Sequence, residues 1–211
     1  MEVWDFVFGQ YKDYPTSFLW LELVACACTV ISALCSWRNS IWVFPFGIVS
    51  TSIFTYLCLQ WNLLGDTLIN AYYFIMSIYG WYIWSRKVDK DTFTPITRTN
   101  MIEWYKTALL FIASAIFVYM IYWYFDRFET IVSYADIITT GFFFSGMYLM
   151  ALRKIEHWLV LLIGNVISVP LYFYKGYSFS AILYIILIVL VFIGYQQWKK
   201  YLNNPDSVVA G

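Results

Sequence analysis

An all-α integral membrane protein with seven transmembrane helices, grouped as three, one and three, is the fold class this sequence predicts. Three observations lead there. The first is composition: 62% of the 211 residues are apolar and only 12% are charged, whereas a soluble domain carries about 25% charged residues. The second is the number of apolar runs of spanning length. The third is a similarity between the first three and the last three of them.

A spanning helix needs about 20 mostly apolar residues. Seven segments meet that length, at about 17–37, 41–60, 66–85, 104–124, 131–152, 157–174 and 178–198. They divide the chain into an extracytoplasmic N-terminal segment (1–16), one membrane domain (17–200) and a flexible cytoplasmic tail (201–211). Within the domain, repeat one covers 17–85, a linking helix 104–124 and repeat two 131–198. Residues 1–16 have no basic start followed by an apolar run, so no cleavable signal peptide is expected and the first helix directs insertion. The only long polar connection runs from Arg86 to Lys106.

Orientation follows from Lys and Arg, which favour the cytoplasmic loops. One side carries Lys12, Arg127 and Lys175. The other carries Arg38, Arg86, Lys87, Lys90, Arg98, Lys106, Arg153, Lys154, Lys199 and Lys200. The bias places the N-terminus outside and the C-terminus in the cytoplasm.

Sliding the second helix onto the sixth by 116 positions sets Trp42 on Trp158, Tyr56 on Tyr172 and Arg38 on Lys154. Sliding the third onto the seventh by 114 sets Gly80 on Gly194, Trp84 on Trp198 and Arg86 on Lys200. An odd linking helix lets both triplets run in the same direction, as in the SWEET-like parallel repeats.

Polar groups in hydrocarbon are costly, so they turn toward the bundle or a cavity. Stripes at spacings of three and four mark one helix face. The third helix offers Asp66, Asn70, Tyr73, Ser77, Gly80 and Trp84. The sixth offers Trp158, Leu161, Asn165, Ser168 and Tyr172. The seventh offers Ser180, Tyr184, Gly194 and Trp198, and the second Trp42, Pro45, Ser52 and Tyr56. Asn70 and Asn165 lie in opposite repeats, and an amide donates and accepts without the cost of a charge. Aromatic faces beside them can stack on a flat ring or attract a cation. The pattern fits a midplane pocket for a small, flat, polar solute, and equally fits hydrogen-bonded glue between helices.

Three acids fall at or within the spans. Asp66 reads as a helix cap, Glu22 as a cap or a paired group, and Asp136 as either structural or proton-coupling. His157, the one histidine, reads as an interfacial residue. Pro45 and Pro170 read equally as hinges or static kinks. Cys26, Cys28, Cys35 and Cys58 lie in apolar runs as small hydrophobes rather than metal ligands. Zero net charge gives no reason to expect nucleic acid. No phosphate-binding GxxxxGK[ST], GxSxG or HExxH sequence is present, so neither an ATP-driven pump nor an enzyme is expected, and no cofactor.

WVFPFGIVSTSIFTYL (Trp42 to Leu57), GDTLINAYYFIMSIYGWYIW (Gly65 to Trp84) and IEHWLVLLIGNVISVPLYFYKG (Ile155 to Gly176) resemble the PnuC family of bacterial vitamin transporters. The resemblance extends from about Trp37 to Lys200. It implies the SWEET-like fold, a homotrimer, and facilitated diffusion of nicotinamide riboside, an NAD precursor, which a cytoplasmic kinase then traps by phosphorylation. It carries binding roles onto Asn70, Tyr73, Trp158 and Asn165. The stripes and the repeat add Trp42, Tyr184, Ser77 and Ser168. Two positions differ from the pattern of the nicotinamide riboside members: Asn70 stands where Gln is common, and Leu161 where a second Trp is common. A thiamine transporter of the same family is the alternative, followed by a proton-coupled symporter.

Overall fold

A computed structural model describes residues 15–86, 94–126, 128 and 131–203. The N-terminal segment through residue 14 and the tail beyond residue 203 lie outside the described residues. Among the described residues seven helices follow in order: α1 (Thr16–Trp37), α2 (Val43–Gln60), α3 (Leu64–Ser85), α4 (Met101–Tyr124), α5 (Ile131–Ala151), α6 (His157–Lys175) and α7 (Ser178–Asn203). Five of them are long and apolar enough to cross a membrane by composition alone. The other two are α3, which buries Asp66 and Ser77, and α5, which carries more inward polar groups. On α5 these include Ser133, Asp136, Thr139, Thr140 and Ser145, all buried against neighbouring helices.

The principal contacts trace a ring. α1 packs on α2, α2 on α3, α3 on α5, α5 on α6, α6 on α7, and α7 back on α1, while α4 lies against α5. The linking helix is therefore outside the ring, where its apolar side chains remain exposed to lipid.

The repeat has one register rather than two. The turn after α1 bonds Asn39 N–H to Ser36 O and Ser40 N–H to Cys35 O, both 2.9 Å. The turn after α5 bonds Arg153 N–H to Met150 O and Lys154 N–H to Leu149 O, again 2.9 Å. The turns after α2 and α6 match likewise, Leu63 N–H to Cys58 O and Tyr177 N–H to Tyr172 O, both 2.9 Å. Left-handed backbone recurs at Asn39 and Arg153 (φ 57° and 54°) and at Asn62 and Gly176 (φ 61° and 85°). Every pair is 114 positions apart. The shift of 116 for the second helix is thus corrected: Phe44, not Trp42, is the mate of Trp158. Trp42 is 60% exposed and points away from the bundle. Glu22 and Asp136, the intramembrane acids of α1 and α5, obey the same register.

Pro45 falls in the first turn of α2, where a missing N–H leaves no bond unmade, so it needs no kink. Pro170 lies inside α6. The start of α4 is three residues earlier than expected because Asn100 and Glu103 form a capping box, each side chain bonded to the other's backbone N–H at 2.8–2.9 Å.

The two ends of the bundle differ. At the end holding the α1–α2 and α5–α6 turns, residues 94–100 run as a strap beside the α5–α6 turn. Thr97 N–H bonds Arg153 O and Ile155 N–H bonds Thr97 O, each 3.1 Å. Thr99 gives its N–H and hydroxyl to Glu156 Oε2 at 2.8 and 2.7 Å. Arg153 bonds Thr94 O and lays its guanidinium 4.1 Å over the Trp84 ring. Burial pulls that guanidinium down to about 10, so it stays charged at neutral pH. Lys154 pairs with Glu103 at 2.7 Å. The opposite end holds the α2–α3 and α6–α7 turns and Lys175.

Candidate substrate cavity

The six helices of the ring enclose a cavity of about 180 Å³. On the strap side its wall is aromatic. Phe44 lies across Gly80 and edge-on to Trp84, at 5.0 Å and 87°. Its repeat mate Trp158 lies across Gly194 and edge-on to Trp198, at 5.9 Å and 89°. Trp84 and Trp198 meet at 6.0 Å between them. Glycine is required at both positions, because an added Cβ would stand 2.4 Å from the Phe44 ring or 2.5 Å from the Trp158 ring.

Around the middle, Tyr73, Phe143, Tyr184 and Tyr172 form a chain of rings. Phe143 and Tyr184 are nearly parallel at 6.0 Å, and Tyr172 and Tyr184 are 4.9 Å apart. Polar groups interrupt them. Asn70 donates one amide N–H to Asp66 O, one turn back, at 2.8 Å. Asn165 is 5% exposed, and its side-chain amide, open to the cavity, makes no hydrogen bond to any described residue. A buried amide without a partner costs free energy unless something else satisfies it. The cavity is the space it faces. Ser77, 2% exposed, lines it from α3.

The described lining residues include no Asp, Glu, Lys or Arg. Rings plus neutral donors and acceptors suit a flat polar solute, and nothing present would neutralise a phosphate.

The profile of the nicotinamide mononucleotide transporter family matches residues 19–200. The chain belongs to that family. Among its relatives is the riboflavin/roseoflavin transporter RibM of Streptomyces davaonensis, 26% identical over 88% of this chain and 87% of that protein. Another is the nicotinamide riboside transporter PnuC of Escherichia coli, 24% identical over 89% of this chain and 88% of that protein. A crystal structure of the vitamin B3 transporter PnuC shares the fold, with a TM-score of 0.68 and 18% identity over 93% of this chain and 86% of that one. The seven-helix, three-one-three architecture is thus that of the nicotinamide mononucleotide transporter family, and the protein is a multi-pass membrane protein.

Of the residues singled out in the sequence, Asn70, Tyr73, Ser77, Trp158, Asn165 and Tyr184 all face this cavity. Trp42 and Ser168 do not. Ser168 is 1% exposed with its hydroxyl unpartnered, packed within the helices. Leu161 does line the cavity, seated on Gly146.

Two sequence readings are corrected here, those of His157 and Asp66, and the partners of Asp136 are now defined. His157 is fully buried rather than interfacial, between Trp158 and Trp198 at 4.5 and 4.7 Å, with Nδ1 2.7 Å from Lys154 O. Asp66 is not a cap: Leu63 holds that position, and the carboxylate accepts from Tyr172 Oη and Lys175 Nζ, both 2.6 Å. Asp136 is paired, accepting from Lys175 Nζ at 2.8 Å and Tyr122 Oη at 2.9 Å. Lys175 itself is no loop charge but a buried one. A lysine one turn beyond a tyrosine on the inward stripe of α6 was the available signal. Glu22 accepts from Ser180 at 3.0 Å, a paired role as expected.

Proposed function

We propose that the protein carries nicotinamide riboside across the bacterial inner membrane by facilitated diffusion, with a cytoplasmic kinase trapping the solute as its phosphate. The observation that carries this reading is the Asn165 side-chain amide, without a partner among the described residues and facing an aromatic cavity whose described lining includes no Lys or Arg to hold a phosphate. A ribosyl pyridinium brings hydroxyls for amides and a flat cation for rings. The nucleotide itself would bring a dianion that this wall leaves unpaired. The likeness to PnuC, described as a nicotinamide riboside transporter, agrees. In this reading Asn70, Tyr73, Trp158, Asn165, Tyr184 and Ser77 touch the solute, the strap end faces the cytoplasm, and the chain assembles as a homotrimer.

The likeness to RibM favours a second reading, in which the solute is riboflavin, a larger neutral ring system. Thiamine, a flat cation, suits the same rings. The deciding experiment is calorimetric binding of the purified protein to nicotinamide riboside, its mononucleotide, thiamine and riboflavin, followed by uptake into sealed vesicles. Binding of nicotinamide riboside without the mononucleotide is the expected result. Binding of riboflavin or thiamine alone would transfer the assignment to that vitamin, and binding without flux would make the protein a receptor.

A further inference from the structure

We propose that Lys175, Asp66 and Asp136 form the gate at the end of the cavity opposite the strap, and that the Tyr172 hydroxyl links this gate to the solute. The inference rests on the transport reading above and names the residues that control one face.

The network is complete. Lys175 Nζ reaches Asp66 Oδ2 at 2.6 Å and Asp136 Oδ1 at 2.8 Å. Tyr172 Oη donates to Asp66 Oδ1 at 2.6 Å, and Tyr122 Oη to Asp136 Oδ2 at 2.9 Å. All four carboxylate oxygens have a donor, and the five residues come from four helices, α3 to α6. Charges in this position are tolerated only while each is paired. Once the end of α6 moves from α3 and α5, they must find water. Such a cluster has two favourable states, closed and dry or open and hydrated, with little between.

The repeat keeps only one of these three charged positions. At the positions 114 residues away from Asp136, Asp66, Lys175 and Tyr172 stand Glu22, Ser180, Trp61 and Cys58. There the contact between α1 and α7 includes a carboxylate and a hydroxyl, Glu22 and Ser180, at 3.0 Å. Lys175 and Asp66 thus have no charged counterpart in the repeat, and a lysine bridging two carboxylates is particular to this side of the ring.

Tyr172 belongs to both systems. Its ring lines the cavity and packs on Tyr184, while its hydroxyl holds Asp66. A solute that displaces the ring removes one of the bonds of Asp66. Tyr172 is in this sense a positioning residue, acting on passage through the carboxylate it holds.

The test follows a thiol already present. Cys58, 1% exposed, ends α2 at the gated face. With Cys26, Cys28 and Cys35 replaced by alanine, the full chain in sealed vesicles is treated with a membrane-impermeant maleimide, and the rate of Cys58 labelling is measured without solute. Tyr172→Phe, which keeps the ring, and Asp66→Asn, which keeps the shape, are each expected to label about tenfold faster than the parent, at a rate insensitive to sub-denaturing urea, as local opening requires. Labelling of both variants at the parental rate would overturn the proposal, as would labelling that rises only in step with global unfolding in urea. Because no solute is added, failure of nicotinamide riboside, thiamine and riboflavin alike to bind and cross the membrane would sink the transport reading and leave the gate standing.

Discussion

The Trp158 ring fills the space that a side chain at Gly194 would need, its nearest atoms 2.5 Å from where a Cβ would stand. Gly194→Ala therefore drives the ring toward the cavity or the helices apart, and overpacking of this kind costs about 1–3 kcal/mol. Thermal unfolding in detergent should show the loss, and nicotinamide riboside uptake should fall with it. Shrinking the ring in the double variant Gly194→Ala/Trp158→Phe should restore most of the stability, since the two sites touch and their effects are not additive. Full additivity would mean that the ring is not what the new methyl meets.

Asn165 offers a test with opposite signs. Asn165→Leu removes a buried amide that has no partner among the described residues, so stability should hold or rise. On the proposed reading the same change also removes hydrogen bonds to the solute, worth about 1–3 kcal/mol, or about 5- to 150-fold in affinity. Thermal shift and calorimetry on one preparation measure both. A variant that loses stability and keeps its affinity would place Asn165 among the structural amides.

Lys175→Met leaves two carboxylates facing each other without a cation, and breaking a buried pair from one side costs about 3–5 kcal/mol. Adding Asp66→Asn and Asp136→Asn should recover much of that stability, because no unpaired charge is left. Unfolding midpoints of the single and triple variants are the measurement, and a triple variant no more stable than the single one would contradict the ion-pair account.

Arg153→Lys keeps the charge but loses the flat guanidinium that covers Trp84 and bonds Thr94 O. The strap should open more often. Hydrogen exchange at the Thr97 and Thr99 amides should quicken by about tenfold, while amides inside α5 keep their protection. Unchanged exchange would show that the backbone pairing of Thr97 suffices without the arginine.

Much of this was legible beforehand because a membrane leaves few choices. Apolar runs of spanning length locate α1 to α7 to within a few residues, and inward stripes of Asn, Tyr and Ser on α3, α6 and α7 do converge. The register of the repeat was misread at α2 because rings are abundant: Trp42 matches Trp158 by letter, yet faces outward. Glu22 and Asp136, two acids in corresponding turns of α1 and α5, carried the true spacing. The ionic cluster was hidden for a different reason. A lysine at a helix end looks like a loop charge until the neighbouring helices bring two carboxylates to it. His157 was misplaced on the same ground, since a polar residue at a helix start is ordinarily wet, and here two tryptophans enclose it.

The strap also constrains the order in which the chain can be made. Thr99 finds Glu156, and Thr94 finds Arg153, more than fifty residues further along. During synthesis from the N-terminus, residues 94–100 emerge well before α5 and α6 exist to receive them. The first triplet can enter the bilayer with its helices formed, but the segment following it must stay unsatisfied until the second hairpin arrives. Biogenesis thus ends with a zippering step at the membrane surface, and a ribosome stalled before residue 156 would hold a half-built protein whose linking segment is still open to proteases.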